Sequence, residues 1–140
     1  MIQRISLPEV KHIAFRLAQE HLGFNEPIPD FSTRFRGILE SCLEVPFQAF
    51  YGQVPYRSLL TKASILFYLL IKNHPFQNGN KRIAVTTLLI FLRKNRKWLR
   101  VDQHEFHRFT VWIAAGKAGD KDYALMTIEA FLRRHLVSLS

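Results

Sequence analysis

Apolar residues recur along this chain at helical spacing. Val10, Ile13, Ala14 and Leu17 fall three and four apart behind Ser6-Leu7-Pro8-Glu9, a capping box with proline at an early helical position. The pattern predicts a first helix that closes at Gly23, then a loop from Asn25 to Asp30 carrying two prolines. A second helix is predicted from about Thr33 to Val45, burying Phe35, Ile38, Leu39, Cys42 and Leu43. Pro46 to Tyr56 is aromatic and punctuated by glycine, so it reads as loop with a short hairpin. Ala63, Leu66, Leu70 and Asn73 return to helical spacing and end at His74-Pro75, where proline has no N–H with which to continue a helix. Ile83 to Leu92 contains no charge and is too short to cross a bilayer, the signature of a helix buried on most sides. Asp102-Gln103-His104-Glu105 opens a further helix as a capping-box analogue. The last helix, about Lys121 to Val137, carries the stripe Ala124, Leu125, Ile128, Phe131 and Leu132 and is expected to pack across the uncharged helix. The fold class predicted is all-α, a bundle of about six helices around a central buried helix, with residues 1–140 forming one domain.

Composition narrows the class. Hydrophobic residues make up 48% of the chain, with 12 phenylalanines, which excludes a disordered or low-complexity protein. Met1-Ile2-Gln3-Arg4 leads into no apolar signal segment and no run reaches membrane-spanning length, so a cytoplasmic location is expected. The single cysteine, Cys42, permits no intrachain disulfide and reads as a buried, inert thiol. A formal charge of +9 biases the surface toward nucleic acid, nucleotide or acidic protein, without choosing among them.

Candidate chemistry concentrates in His74-Pro75-Phe76-Gln77-Asn78-Gly79-Asn80-Lys81-Arg82, where one helix stops and the uncharged helix starts. A helix N-terminus presents unpaired N–H groups and the positive end of the macrodipole, so it is an anion site by construction. Gly79 lets a phosphate approach the backbone of Gly79 and Asn80, Lys81 and Arg82 add two charges, and arginine grips phosphate oxygens with paired hydrogen bonds. His74 beside that cradle can take a proton from an attacking hydroxyl. A base next to a polyphosphate cradle points to transfer of a phosphorus-centred group from a nucleotide.

This stretch resembles the active-site motif of the Fic/Doc family, His-x-Phe-x-Asp/Glu-Gly-Asn followed by Gly or Lys and then Arg, and agrees at every position but the fifth. Lys81 in place of Gly, and Val85 where the Fic branch carries a second arginine, look like the Doc branch of death-on-curing toxins. Gly37-Ile38-Leu39-Glu40-Ser41 and the run from Tyr56 to Asn73 also resemble Doc segments, so the likeness covers roughly residues 5–135. It implies a Fic-like fold, ATP with Mg2+ as cofactors, and phosphoryl transfer to a Ser or Thr hydroxyl of a protein such as elongation factor Tu, which blocks translation. It also implies a Phd-like antitoxin whose disordered tail folds on the toxin. His74 would be the general base, Lys81 and Arg82 would act with it in catalysis, and Phe76 would anchor the turn.

The departure is Asn78, which stands where the family has the magnesium-binding acid. An amide oxygen supplies the dipole without the charge, a loss of ~1.5–3 kcal/mol, or roughly 10- to 150-fold in metal affinity. Magnesium binding is therefore expected to be weak. Asn78 would mark a weak natural enzyme, an inactivating substitution, or a site completed by deamidation of Asn78-Gly79.

Three further stretches are read against the family. The Phe47, Phe50 and Tyr51 loop either caps the core or resembles the flap that holds the target segment beside the histidine. Ser32-Thr33-Arg34-Phe35-Arg36-Gly37 faintly resembles an inhibitory motif but has Arg36 where that motif needs Glu, so self-inhibition in cis is not expected. Arg93, Lys94, Arg96, Lys97 and Arg100 form either a solvated basic helix end or a patch for RNA or an acidic antitoxin segment, with Trp98 available for stacking. His104 and His107 are three apart with no third metal ligand indicated, and His12 reads as a surface or core-edge residue. The competing readings are an AMP-transferase, a catalytically impaired pseudoenzyme and a basic RNA- or antitoxin-binding helical module.

Overall fold

The computed structural model describes residues 1–20, 28–117 and 119–139, so the expected helix end at Gly23 and most of the Asn25 to Asp30 loop lie outside the described residues. The architecture is all-α, with one small two-stranded sheet among the described residues. The N-terminal rod starts as the capping box requires: Glu9 N–H donates to Ser6 Oγ at 3.3 Å and Ser6 N–H to Glu9 Oε1 at 2.9 Å. It runs as α1 (Leu7–Glu9), a π-helical turn (Val10–Ala14) and α2 (Phe15–Glu20). The π turn, closed by Phe15 N–H on Val10 O, inserts one residue and rotates the apolar face. Phe15 and Ala18 are consequently buried, while Ile13 of the expected stripe is exposed and Leu17 only half-buried.

The second helix is shorter than its periodicity implied. Phe31–Thr33 is a 3-10 turn capped by the Asp30 carboxylate on Ser32 N–H, and α3 (Ile38–Glu44) begins only after Gly37, whose φ of 86° interrupts the helix. Phe31 occupies the core, and Phe35, expected to be buried, is 45% exposed. The next segment turns through Val45–Phe47 and then forms a two-residue hairpin, in which Phe50 and Gln53 exchange backbone hydrogen bonds of 2.7 and 2.8 Å.

Two helices make the middle of the bundle. In α4 (Leu59–Lys72), capped by Ser58 and Thr61, every residue from Lys62 to Phe67 is buried. In α5 (Asn80–Lys94) the same holds from Ile83 to Leu88, as its lack of charge required. Then follow β1 (Lys97–Leu99), α6 (Gln103–Ala114), α7 (Lys121–His135) and β2 (Leu136–Ser138). Asp102 caps α6 through Glu105 N–H at 3.0 Å. The last helix packs principally on α4, not across α5 as its stripe predicts. Phe131 explains the choice: it stacks on Phe109 at 4.0 Å and on Phe106 at 5.9 Å, and Phe106 reaches Phe67 of α4 at 5.8 Å. Helical period alone cannot name the partner of an apolar face.

The sheet is a second departure. The predicted final helix stops at His135, and Leu136–Ser138 pairs antiparallel with Lys97–Leu99, Trp98 opposite Val137. The basic run is therefore not simply a helix end. Lys94 ion-pairs with Glu9 at 2.7 Å and Lys97 donates to Ser138 Oγ at 2.8 Å, while Arg93, Arg96 and Arg100 are exposed.

Candidate active site

The turn between α4 and α5 is built by backbone geometry first. Asn73 closes α4, and His74 adopts φ 47°, the left-handed conformation that commonly ends helices and usually falls to glycine. Proline at 75 prevents any continuation, and the imidazole is left exposed at the helix end. Gly79, at φ 75° and ψ 13°, starts α5 as an N-cap without a side chain. The first-turn N–H groups that helix geometry leaves unpaired therefore meet no capping side chain from Gly79.

Two devices lock this turn. Phe76 is 1% exposed and sits between Phe15 at 5.7 Å and Phe31 at 5.8 Å, which themselves meet edge to face at 5.4 Å. Burying such a ring contributes ~1.5–3 kcal/mol. The second device is Asn80, whose amide pairs with the backbone of Phe76 like a strand neighbour. Phe76 N–H donates to Asn80 Oδ1 at 2.9 Å and Asn80 Nδ2 to Phe76 O at 2.8 Å. His74 and the N-terminus of α5 are thereby held as one unit by a residue that belongs to α5 itself.

Lys81 and Arg82 follow on the first turn, both half-buried. Arg82 Nη1 donates to Ala18 O at 3.0 Å, so one of the guanidinium's five N–H donors ties α5 to the last turn of α2. Asn78 is exposed, and the turn from His74 to Arg82 holds no carboxylate. Among the described residues no group of three or more His, Cys, Asp or Glu could hold a metal ion. Magnesium usually takes one or two protein carboxylates with substrate phosphates, so an exposed amide in a turn whose formal charges are Lys81 and Arg82 is a donor set that does not fit it.

The sequence leaves the Phe47 loop as either a cap on the core or a flap beside the turn, and Phe47 takes the first role. Phe35 N–H donates to Pro75 O at 2.9 Å, which lays the segment Phe31 to Gly37 along the turn. Phe47 instead packs edge to face on Phe91, near the far end of α5 and ~16 Å along the helix axis from Asn80. Phe50 and Tyr51 are exposed in the hairpin that follows Phe47. The structure thus brings together His74, Phe76, Gly79, Asn80, Lys81 and Arg82 and leaves Phe47 apart from them. The exposed Arg93 lies in the last turn of α5, and Arg96 and Arg100 follow it, at the opposite end from the turn. Cys42 is fully buried, with burial first and an Asn73 hydrogen bond opposing it, and its thiol is pushed up to about 11, which keeps it out of any nucleophilic role.

Sequence reasoning missed Asn80 as a clamp and Phe15 and Phe31 as the floor of the turn. The only signal was the asparagine four residues after Phe76, a spacing that lets a side chain return to the backbone it follows. A family model for the Fic/DOC family matches residues 4–92, which is more than half of the chain and includes the whole turn. The chain belongs to the Fic/DOC family. Members of this family are typically transferases that carry out AMPylation or phosphorylation. The Fic/DOC match ends at Leu92 within α5, so the paired strands, α6 and α7 lie beyond it. No curated protein and no solved structure matches the chain. Among the described residues no helix is long and apolar enough to cross a membrane.

Proposed function

We propose that this Fic/DOC chain transfers the terminal phosphoryl group of ATP to a Ser or Thr hydroxyl of a protein, acting as a Doc-type toxin restrained by a Phd-like antitoxin. A translation factor such as elongation factor Tu is the proposed target. The observation that carries the reading is the Asn80 clamp, because it sets an exposed imidazole and a helix N-terminus in one rigid turn. In the proposed step the acceptor hydroxyl oxygen attacks the γ-phosphorus and its proton passes to a His74 ring nitrogen. A bond forms between that oxygen and phosphorus, the bridging bond to the β-phosphate breaks, and ADP leaves with the electron pair. The amides at Gly79 and Asn80, with Lys81 and Arg82, offset the charge that develops on the phosphate oxygens. No step runs through magnesium, since the donor set does not fit it.

Delivery of the α-phosphorus to the same acceptor, with pyrophosphate leaving, makes the chain an AMP-transferase. The carboxylate-free turn supports a second reading: a protein that binds a nucleotide and transfers little or nothing. Intact-mass analysis of purified elongation factor Tu after incubation with ATP separates these outcomes. A gain of one phosphoryl group that is lost with His74→Ala is expected. A gain of one AMP favours the alternative transferase. No gain while ATP still raises the melting temperature favours the pseudoenzyme, and neither gain nor ATP binding overturns the reading.

A further inference from the structure

The first turn of α4 sets a buried cation, which the proposed chemistry does not use, against the loop that joins α3 to α4. Lys62 is 5% exposed, and among the described residues no carboxylate pairs with it. Its ammonium donates to Pro46 O at 2.9 Å and to Tyr56 O, and lies 4.6 Å from the centroid of the Phe47 ring. Removing an ammonium from water is costly unless its donors are satisfied, and here they close a clasp on both ends of one loop. Between those ends the hairpin turns through Tyr51 at φ 51° and Gly52 at φ 76°, the two left-handed residues of a type I′ turn. A tyrosine in that conformation is strained by ~1–2 kcal/mol. The core gains nothing in return, because Tyr51 is fully exposed and Phe50 is 55% exposed. A clasped loop, a strained turn and two aromatic rings in water together describe a surface shaped for something outside the chain.

We infer that the hairpin from Phe50 to Gln53 is a docking element for an acidic, extended segment of a protein partner. A cleft of about 600 Å3 runs along it, lined by Phe50, Tyr51, Gln53, Val54, Pro55 and Arg57. Its lining carries a cation and no acid. Arg4 lies 4.5 Å from the centroid of Phe47, and the neighbouring carboxylate, Glu44, is held by Arg4 at 3.1 Å. The local charge is therefore positive, while the rings and Val54 offer apolar contact, which suits a chain alternating acidic and aliphatic side chains. Preorganisation favours binding because the loop loses little freedom when a partner arrives. The Lys62 clasp stands apart from the transferase turn, since Lys62 precedes the end of α4 at Lys72 by ~15 Å of helix.

The test uses a fluorescently labelled peptide of alternating Glu and Leu, a matched peptide of Lys and Leu, and anisotropy titrations with the whole protein. The acidic peptide should bind and the basic one should not. Tyr51→Asn is the decisive variant, because Asn-Gly suits a type I′ turn, so the hairpin is kept or strengthened while the ring is removed. Affinity should fall ~10-fold or more, as for an aromatic hot spot. Lys62→Met should weaken binding with helicity unchanged, and His74→Ala should bind like wild type. Absence of acidic-peptide binding overturns the inference. Undiminished binding by Tyr51→Asn does too, as does binding lost only on changing Arg93, Arg96 and Arg100. Concentration-dependent dimers abolished by Tyr51→Asn would replace the partner with a second copy of the chain.

Discussion

Replacing Asn80 by Ala tests the physical core of the site. The side chain is 7% exposed and makes two hydrogen bonds, at 2.9 and 2.8 Å, to the N–H and C=O of a residue that is itself 1% exposed. Alanine leaves both backbone groups buried without these partners. Each such group costs ~1–3 kcal/mol, and entry of one water into the vacated space would recover part of that, so ~2–4 kcal/mol overall is expected. For a chain of this length that corresponds to a fall of roughly 7–13 °C in melting temperature. Circular dichroism during a thermal scan, with a urea titration to check that the slope is unchanged, is the assay. Asn78→Ala, two residues away and exposed, should shift the midpoint by less than ~0.5 kcal/mol. Equal effects at the two positions, or an Asn80→Ala melt within ~2 °C of wild type, would refute the clamp and the rigid turn built on it.

Other outcomes follow from the same geometry. His74→Gly should be more stable than His74→Ala by ~1–2 kcal/mol, because φ 47° suits glycine, and equal melting temperatures would count against the left-handed helix end. His74→Ala should reduce transfer by roughly 10^2- to 10^4-fold with near-native circular dichroism, measured by target mass. Asn78→Asp adds a carboxylate to the turn, so magnesium affinity should rise ~10- to 150-fold by calorimetry; no change means that the turn does not present that position to a cation. Burial alone raises the Glu9 carboxyl, but the Lys94 ammonium and the Ser6 groups outweigh it and hold it below the usual carboxylate range. The unfolded chain therefore binds this proton more readily, and the contribution is present above the ordinary carboxylate value and lost as pH falls through the folded one. Urea midpoints between pH 5 and pH 3 should fall less for Glu9→Gln than for wild type.

What the sequence determined by itself was whatever depends on neighbours a few residues apart. The Ser6 capping box, the arrest of α4 at His74-Pro75, the start of α5 beside Gly79 and the burial of Ile83 to Leu88 all rest on local sterics, backbone hydrogen bonding and an unbroken run without charge. The nine-residue turn was legible for the same reason. Only the tertiary structure decided which surfaces meet. A single π turn rotated the first helix so that Phe15, not Ile13, reached the core, and Phe31 displaced Phe35 beneath Phe76. Phe131 drew α7 onto α4, and Trp98 found Val137 as a strand partner from nearly forty residues away. The aromatic loop went to the far end of α5 because Phe47 had Phe91 and Lys62 to pack against. Hydrophobic contact is not directional, so an apolar stripe states that a face will be buried but not against what, and that choice is made by the fit of the whole core.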